Sequence, residues 1–245
     1  MALRRQRPPK PLGIFPLGDT AVFVEFAEQL DLEVNAAGQR LAAAVREHGV
    51  PWIRDVVPTL GGVALHFDPD HAALPAESLQ AAAALVAQCL EEGLTSTEEL
   101  GRSIEVPVCY DPEFALDLAE IAERAKLSRE EVVRRHAACE YRVLMVGFAP
   151  GLPYLGGLDP KLEVPRREIP RQEVPAGSVA IANKQAVLYP YAISGGWNVI
   201  GRTPLVLFDA GRRSPSLFAP GDRVRFVSVT REAFERQRRA AERRS

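Results

Sequence analysis

The pattern of apolar and polar positions divides the chain into two textures. In the first hundred residues, the β-branched and aromatic run Thr20–Phe26 (TAVFVEF) predicts a strand. A helical pattern follows over 32–48, where Leu41 and Val45 stand four residues apart and Gly49 supplies the stop. Residues 52–58 (WIRDVVP) and 63–67 (VALHF) read as two strands joined in a hairpin at Leu60-Gly61-Gly62. Pro75 opens an alanine-rich helix that runs to Glu92 and closes at Gly93. The order β-α-β-β-α is one strand short of a split βαβ, ferredoxin-like unit.

A polar stretch, Thr95–Gly101, reads as a linker. Beyond it come a strand at Ile104–Cys109 and two short helices, the second starting at Ser128 with Glu131 three residues on, the spacing of a capping box. From Glu140 onward the texture is strand and turn: 140–148, 178–190, 198–208 and 223–229. Several strands broken by Gly/Pro turns predict a small barrel or sandwich. After Thr230, Glu232–Arg236 and Glu235–Arg239 are spaced for a terminal helix, whose poor apolar face predicts fraying. The organisation expected is a flexible basic extension (1–16), an α/β domain (17–101), a β-rich domain (102–229) and a basic tail (230–245).

Composition excludes several classes. Of 245 residues, 47% are hydrophobic and 25% charged, ordinary values for a globular chain. No run reaches the ~18 apolar residues of a membrane span. The net charge of −2 hides an asymmetry: Arg4, Arg5, Arg7 and Lys10 stand without an acid in the first ten residues, and the tail carries six arginines against three glutamates. No aromatic residue accompanies the first basic end and a lone Phe234 the second, short of the aromatic interleaving of a nucleic-acid surface, so they read as solvated tails. Cys89, Cys109 and Cys139 are widely spaced, which predicts free thiols in a reducing cytoplasm. The N-terminus lacks the apolar core of a secretory signal, and Pro8, Pro9, Pro11 and Pro16 oppose the amphipathic helix of a transit peptide.

Two segments stand out as candidate chemistry. Gly147–Gly177 holds six prolines and five glycines in 31 residues, with Val164-Pro165-Arg166, Ile169-Pro170-Arg171 and Val174-Pro175 recurring every five. Each proline fixes φ near −65° and extends the residue before it, so the segment reads as a stiff connector holding Arg166, Arg167 and Arg171 in set places. Those arginines could fork onto a carboxylate or phosphate, or simply pair with Glu168 and Glu173. The second segment is Ser194–Thr203 (SGGWNVIGRT), where Gly195 and Gly196 permit close backbone approach. There Trp197 either stacks on a planar ligand or fills the core, and Arg202 with Thr203 could hold an anion. His136 and Cys139 share a helix face, but two ligands make no zinc site. Asp159, Glu163, Asp209 and Asp222 sit at turns and read as turn-formers. Neither a Walker loop nor G-x-G-x-x-G occurs.

Taken together, GFAPGLPYLGGL, VPRREIPRQEVPAGSVAIA, GGWNVIGRTPLVLFD and APGDRVRF resemble the allophanate hydrolase subunit 1 / KipI family across residues 17–229. That family includes the B subunits of bacterial 5-oxoprolinase. The resemblance implies an α+β protein: a small ferredoxin-like α/β domain followed by a cyclophilin-like β-barrel. It implies a heteromer with a KipA-type C subunit and a barrel-type A subunit that opens 5-oxoproline to glutamate with ATP as co-substrate. Within it, Arg202, Thr203 and Gln185 are the expected catalytic groups, with Arg166, Arg171, Trp197, Gly195, Gly196, Tyr154 and His136 binding substrate or nucleotide and no metal. Alternatives within the family are an inhibitor docking on a sensor histidine kinase and a component of biotin-linked urea or allophanate metabolism. Ala186 and Val187 replace a threonine and a glycine of the family pattern, and Ser194 replaces a proline. These departures are expected to narrow the pocket and remove a hydrogen-bond donor.

Overall fold

Gly49 adopts φ +61 where the first helical pattern stops, as the sequence requires of a glycine in that place. The computed structural model describes residues 10–28, 30–94 and 101–243. It divides into one unit ending at Gly101 and a second beginning at Arg102. In the first, strands β1 (Gly13–Pro16), β2 (Ala21–Glu25), β3 (Ile53–Pro58) and β4 (Gly62–Phe67) form an antiparallel sheet in the order β1-β2-β4-β3. Helices α1 (Leu32–Glu47) and α2 (Ser78–Glu92) complete the unit. Asp31 caps α1, its Oδ1 accepting from the backbone N–H groups of Glu33 and Val34 at 2.9 and 3.0 Å. Leu41 and Val45 of α1 meet Val24, Val63 and Leu65 of the sheet and Val86 of α2 in one core.

The missing fourth strand of the split βαβ pattern is present, but it comes from the opposite end of the unit. β1 pairs with β2 along Gly13–Pro16, residues whose composition points to a flexible extension. Pro16 ends the strand, where a missing N–H costs least. The linker expected at 95–101 lies, except for Gly101, outside the described residues.

The second unit is built on seven strands: β5 (Ser103–Val108), β6 (Tyr141–Val146), β7 (Pro153–Gly156), β9 (Ser178–Ala182), β10 (Gln185–Leu188), β12 (Asn198–Arg202) and β13 (Arg223–Ser228). Their order is β12-β9-β10-β7-β6-β13-β5, antiparallel throughout except for the parallel β5/β13 pair. Cys109, just past β5, exchanges both backbone hydrogen bonds with Arg202 at 2.9 and 3.0 Å, which closes the sheet into a barrel. Alternate side chains fill the interior, among them Val108, Val143, Leu155, Ile181, Leu188 and Phe226. On the outer face Ala180, Ala182, Val187, Tyr189, Trp197 and Val199 form a second cluster. A separate hairpin, β8 (Arg171–Val174) with β11 (Ile193–Gly195), contributes Val174 to that outer cluster.

Helices α3 (Leu118–Ala125) and α4 (Arg129–Ala138) pack against the barrel, and Ser128 caps α4 by accepting from the N–H of Glu131 at 3.1 Å. Three of the expected turn-formers act as such. Asp159 accepts from Lys161 N, Asp209 from Gly211 N and Asp222 from Ala219 N, each at 2.9 Å. The terminal helix α5 (Arg231–Glu242) is not the poorly anchored tail its composition suggests. Its single large apolar residue, Phe234, is fully buried against Phe114, with ring centroids 4.7 Å apart. One well-placed aromatic does the anchoring that a continuous stripe would otherwise provide.

Candidate functional site

The Gly/Pro-rich segment is where the two textures of the barrel unit meet. Its first part becomes β7, a strand inside the barrel wall that the glycines and prolines conceal in the sequence. After a 3-10 turn at Pro160–Leu162, residues 163–170 run as a strap over the outer face, tied at three points. Asn183 N–H donates to Val164 O at 2.6 Å, Asn198 Nδ2 to Pro165 O at 2.8 Å, and Arg167 N–H to Gly196 O at 2.8 Å. Between strap and sheet lies a cleft of about 240 Å³. The sheet side supplies Tyr154, Val187 and Tyr189; the strap supplies Arg166 and Pro170; and Ser194–Trp197 forms the end wall.

The cleft has a defined chemical character. Arg166 is exposed, has no carboxylate partner among the described residues, and holds its guanidinium carbon 5.2 Å from the centroid of the buried Trp197 ring. Tyr154 meets Trp197 edge-on, with centroids 5.9 Å apart. Burial pushes the Tyr189 phenol up to about 12, against a backbone hydrogen bond from Trp197 that favours the ionised form. Burial raises the Tyr154 phenol as well, opposed by the charge of Arg166. Both phenols therefore stay protonated at neutral pH. A Cβ at Gly195 would stand 2.2 Å from the Tyr189 hydroxyl, so only glycine lets the end wall approach that phenol. The result, among the described residues, is a cation without a carboxylate partner above an aromatic wall, with hydroxyl groups beside it. That combination has the chemistry to hold a small planar anion.

Arg167 of the strap and Arg171, the first residue of β8, are occupied. Asp117, at the start of α3 and only 3% exposed, accepts from Arg167 Nη1 at 2.8 Å and from both terminal nitrogens of Arg171 at 2.8 and 2.7 Å. The same carboxylate accepts from the N–H of Val199 on β12 at 2.7 Å. Neither Glu168 nor Glu173 takes that role.

Of the residues singled out in the sequence, the structure brings Arg166, Trp197, Gly195, Gly196 and Tyr154 together around one cleft. It places the others elsewhere. Arg202 stands at the far end of β12 from Trp197, five extended residues or roughly 16 Å away at about 3.3 Å per residue. Its Nε donates to Ala176 O at 2.7 Å, and its guanidinium lies 5.9 Å from the Phe114 centroid. Burial lowers its pKa, with Arg238 adding to the effect. Thr203 is buried, its N–H bonded to Gly177 O at 2.8 Å. Gln185 is nine-tenths buried, with Nε2 unpartnered among the described residues, and does not line the cleft. His136 sits in the barrel core, stacked on Phe226 at 4.4 Å, with Nδ1 2.8 Å from the Tyr110 hydroxyl. Burial pulls its pKa down to about 3, so it is a neutral packing residue at physiological pH. Of the family departures, Val187 and Ser194 line the cleft, whereas Ala186 faces the barrel interior. The expected narrowing therefore falls to Val187, and no hydroxyl is lost from the cleft at 186.

Asp117 carries no site signal in the sequence. An aspartate before a helix reads as an N-cap, although here its side chain caps nothing and reaches arginines 50 and 54 residues on. Tyr189 and Pro170 belong to the family motifs but have no local feature that marks them as cleft walls.

A barrel with a strap-covered cleft on its outer wall defines the class. The chain belongs to the carboxyltransferase domain, subdomain C and D family, whose pattern matches residues 12–218. Within it, the chain is 37% identical over 226 residues to the 5-oxoprolinase B subunit of Bacillus subtilis (strain 168), covering 89% of this chain and 93% of the relative. It is 40% identical over 213 residues to the 5-oxoprolinase B subunit of Escherichia coli O157:H7, covering 86% and 93%. The crystal structure of TTHA0988 superposes with a TM-score of 0.73 at 35% identity, covering 85% of this chain. This chain spans only 40% of that longer protein.

Proposed function

We propose that this chain is the B component of a cytoplasmic, ATP-dependent 5-oxoprolinase, acting with a C subunit and a barrel-type A subunit to open 5-oxoproline to glutamate. The relatives named as 5-oxoprolinase B subunits, matched over most of both chains, support this reading. The observation that carries the site is the unpaired Arg166 guanidinium above Trp197. In this reading Arg166 forks onto the substrate carboxylate, the lactam ring lies against Trp197 and Tyr154, and the Ser194 or Tyr189 hydroxyl meets a ring heteroatom. The architecture that goes with it is a ferredoxin-like first domain and a cyclophilin-like barrel, divided at 101/102.

The cleft suits a lactam better than a nucleotide. At about 240 Å³ it falls below the roughly 300–1,000 Å³ of sites for larger ligands, and among the described residues it offers a single lining arginine and no glycine-rich phosphate loop. We therefore assign ATP to a site formed elsewhere in the assembled complex. The contribution of this chain is to bind and orient the lactam, and holding a reactant in place in this way lowers a barrier.

The test is co-expression with the A and C partners, followed by an assay of glutamate formation and ATP hydrolysis as 5-oxoproline is added. The reading expects turnover that requires all three components. A stable three-component complex whose ATP hydrolysis ignores 5-oxoproline would overturn it.

A further inference from the structure

Three arginines fall within six residues along the strap and the start of β8, and among the described residues only Arg166 faces the cleft without a carboxylate partner. The buried Asp117 carboxylate accounts for the other two, accepting from Arg167 once and from Arg171 in a two-pronged fork. Its remaining bond goes to the N–H of Val199, and its own N–H returns to Val199 O at 2.8 Å. Val199 lies two residues beyond Trp197. Arg167 adjoins Arg166, and Arg171 adjoins the cleft residue Pro170. One carboxylate thus ties down both walls of the cleft: the strap that carries Arg166 and Pro170, and the strand that follows Trp197.

We infer that Asp117 is a positioning residue for the lactam site, resting on the function proposed above. It draws Arg167 and Arg171 away from the cleft and fixes Arg166 over Trp197 without touching the ligand. A pair of like-charged guanidiniums needs a compensating anion to lie this close in a half-buried setting. Asp117 supplies that anion to both at once. Without it, Arg167 and Arg171 lose their common anchor, and the Arg166–Trp197 stack loses its fixed geometry.

The test uses the full chain with Trp52→Phe, which leaves Trp197 as the sole tryptophan. Asp117→Asn keeps the shape of the side chain and removes its charge. The inference expects acrylamide quenching of Trp197 to rise and its emission to shift. In the three-component complex, it expects KM for 5-oxoproline to rise about tenfold with a smaller change in kcat. A lower melting temperature with unchanged quenching and unchanged KM would show a purely structural ion pair and sink the inference. Should Asp117→Asn not fold, Arg167→Gln provides the second arm, since it removes a single half-exposed partner. It should give a smaller change in the same two readouts, and no change in either contradicts the inference. If the wild-type complex ignores 5-oxoproline, the proposed substrate fails, while Trp197 quenching still decides the role of Asp117.

Discussion

The Arg166 guanidinium carbon lies 5.2 Å from the centroid of the Trp197 ring, and no carboxylate among the described residues claims it. An arginine held against an aromatic face has lost much of its rotamer freedom before a ligand arrives, so less is lost on binding. Its two close neighbours in sequence are both held by the Asp117 carboxylate, and Arg167 also lies 3.6 Å from Glu120. Which arginine of the described residues stays without a carboxylate partner is therefore selected by the fold, not by the local sequence.

Gly195 and Tyr189 should behave as a coupled pair. Gly195→Ala forces a methyl into the space 2.2 Å from the phenol oxygen, which should cost about 1–3 kcal/mol and weaken lactam binding. Tyr189→Phe in the same chain should recover only part of that loss, because the ring carbons still stand within 3 Å of the new methyl. A double-mutant cycle by urea denaturation measures the coupling, and simple additivity would contradict the contact.

Val187 should set the size limit of the cleft. It is almost fully buried and lines the wall, so Val187→Ala should cost roughly 2 kcal/mol of stability and enlarge the site. Competition assays with ring-substituted lactams should show a shift towards the bulkier compounds. The Ala186→Thr change, which faces the barrel interior, should lower stability without altering that preference.

His136 makes stability depend on pH with a definite sign. Burial holds its folded-state pKa near 3, while the unfolded chain titrates it near 6.5. Below about pH 6.5 the unfolded state binds a proton that the folded state refuses. Stability should therefore fall by up to about 1.4 kcal/mol per pH unit between 6.5 and 3, and show no contribution from this group above that window. Urea titrations at pH 7 and pH 5 should show the loss in the wild type and a smaller one in His136→Phe.

The terminal helix should matter for the barrel unit. Phe234→Ala removes the buried contact with Phe114 and should cost about 3–5 kcal/mol. Exposed arginine changes on the same helix, such as Arg236→Ala, should leave the melting temperature nearly unchanged. Equal effects would contradict the single-anchor account.

Most of the regular elements were legible because their signals are local. The Ser128 cap, the stop at Gly49 and the strand at Arg223–Ser228 rest on residues within a few positions of one another. β7 is hidden because its Pro153 and Gly156, set among further prolines and glycines, speak for turns, and only pairing with β6 and β10 makes it a strand. β1 was hidden because basic and proline-rich neighbours mask a short edge strand. The cleft is half legible: Tyr154, Arg166, Trp197 and the two glycines stand in the family motifs, yet the same motifs hold Arg202 and Thr203, which the length of β12 carries away. Asp117 was not legible at all. Its meaning depends on partners some fifty residues distant, which only the fold brings near.

The most direct test of the cleft is the substitution Arg166→Ala, assayed in the assembled three-component complex and by thermal melting of the chain. Losing a charged hydrogen-bond donor to the lactam carboxylate should raise KM for 5-oxoproline by about ten- to a hundredfold, equivalent to about 1.5–3 kcal/mol. The exposed, unpaired position predicts a melting temperature close to that of the wild type. Unchanged KM in a fully folded Arg166→Ala complex would contradict the account.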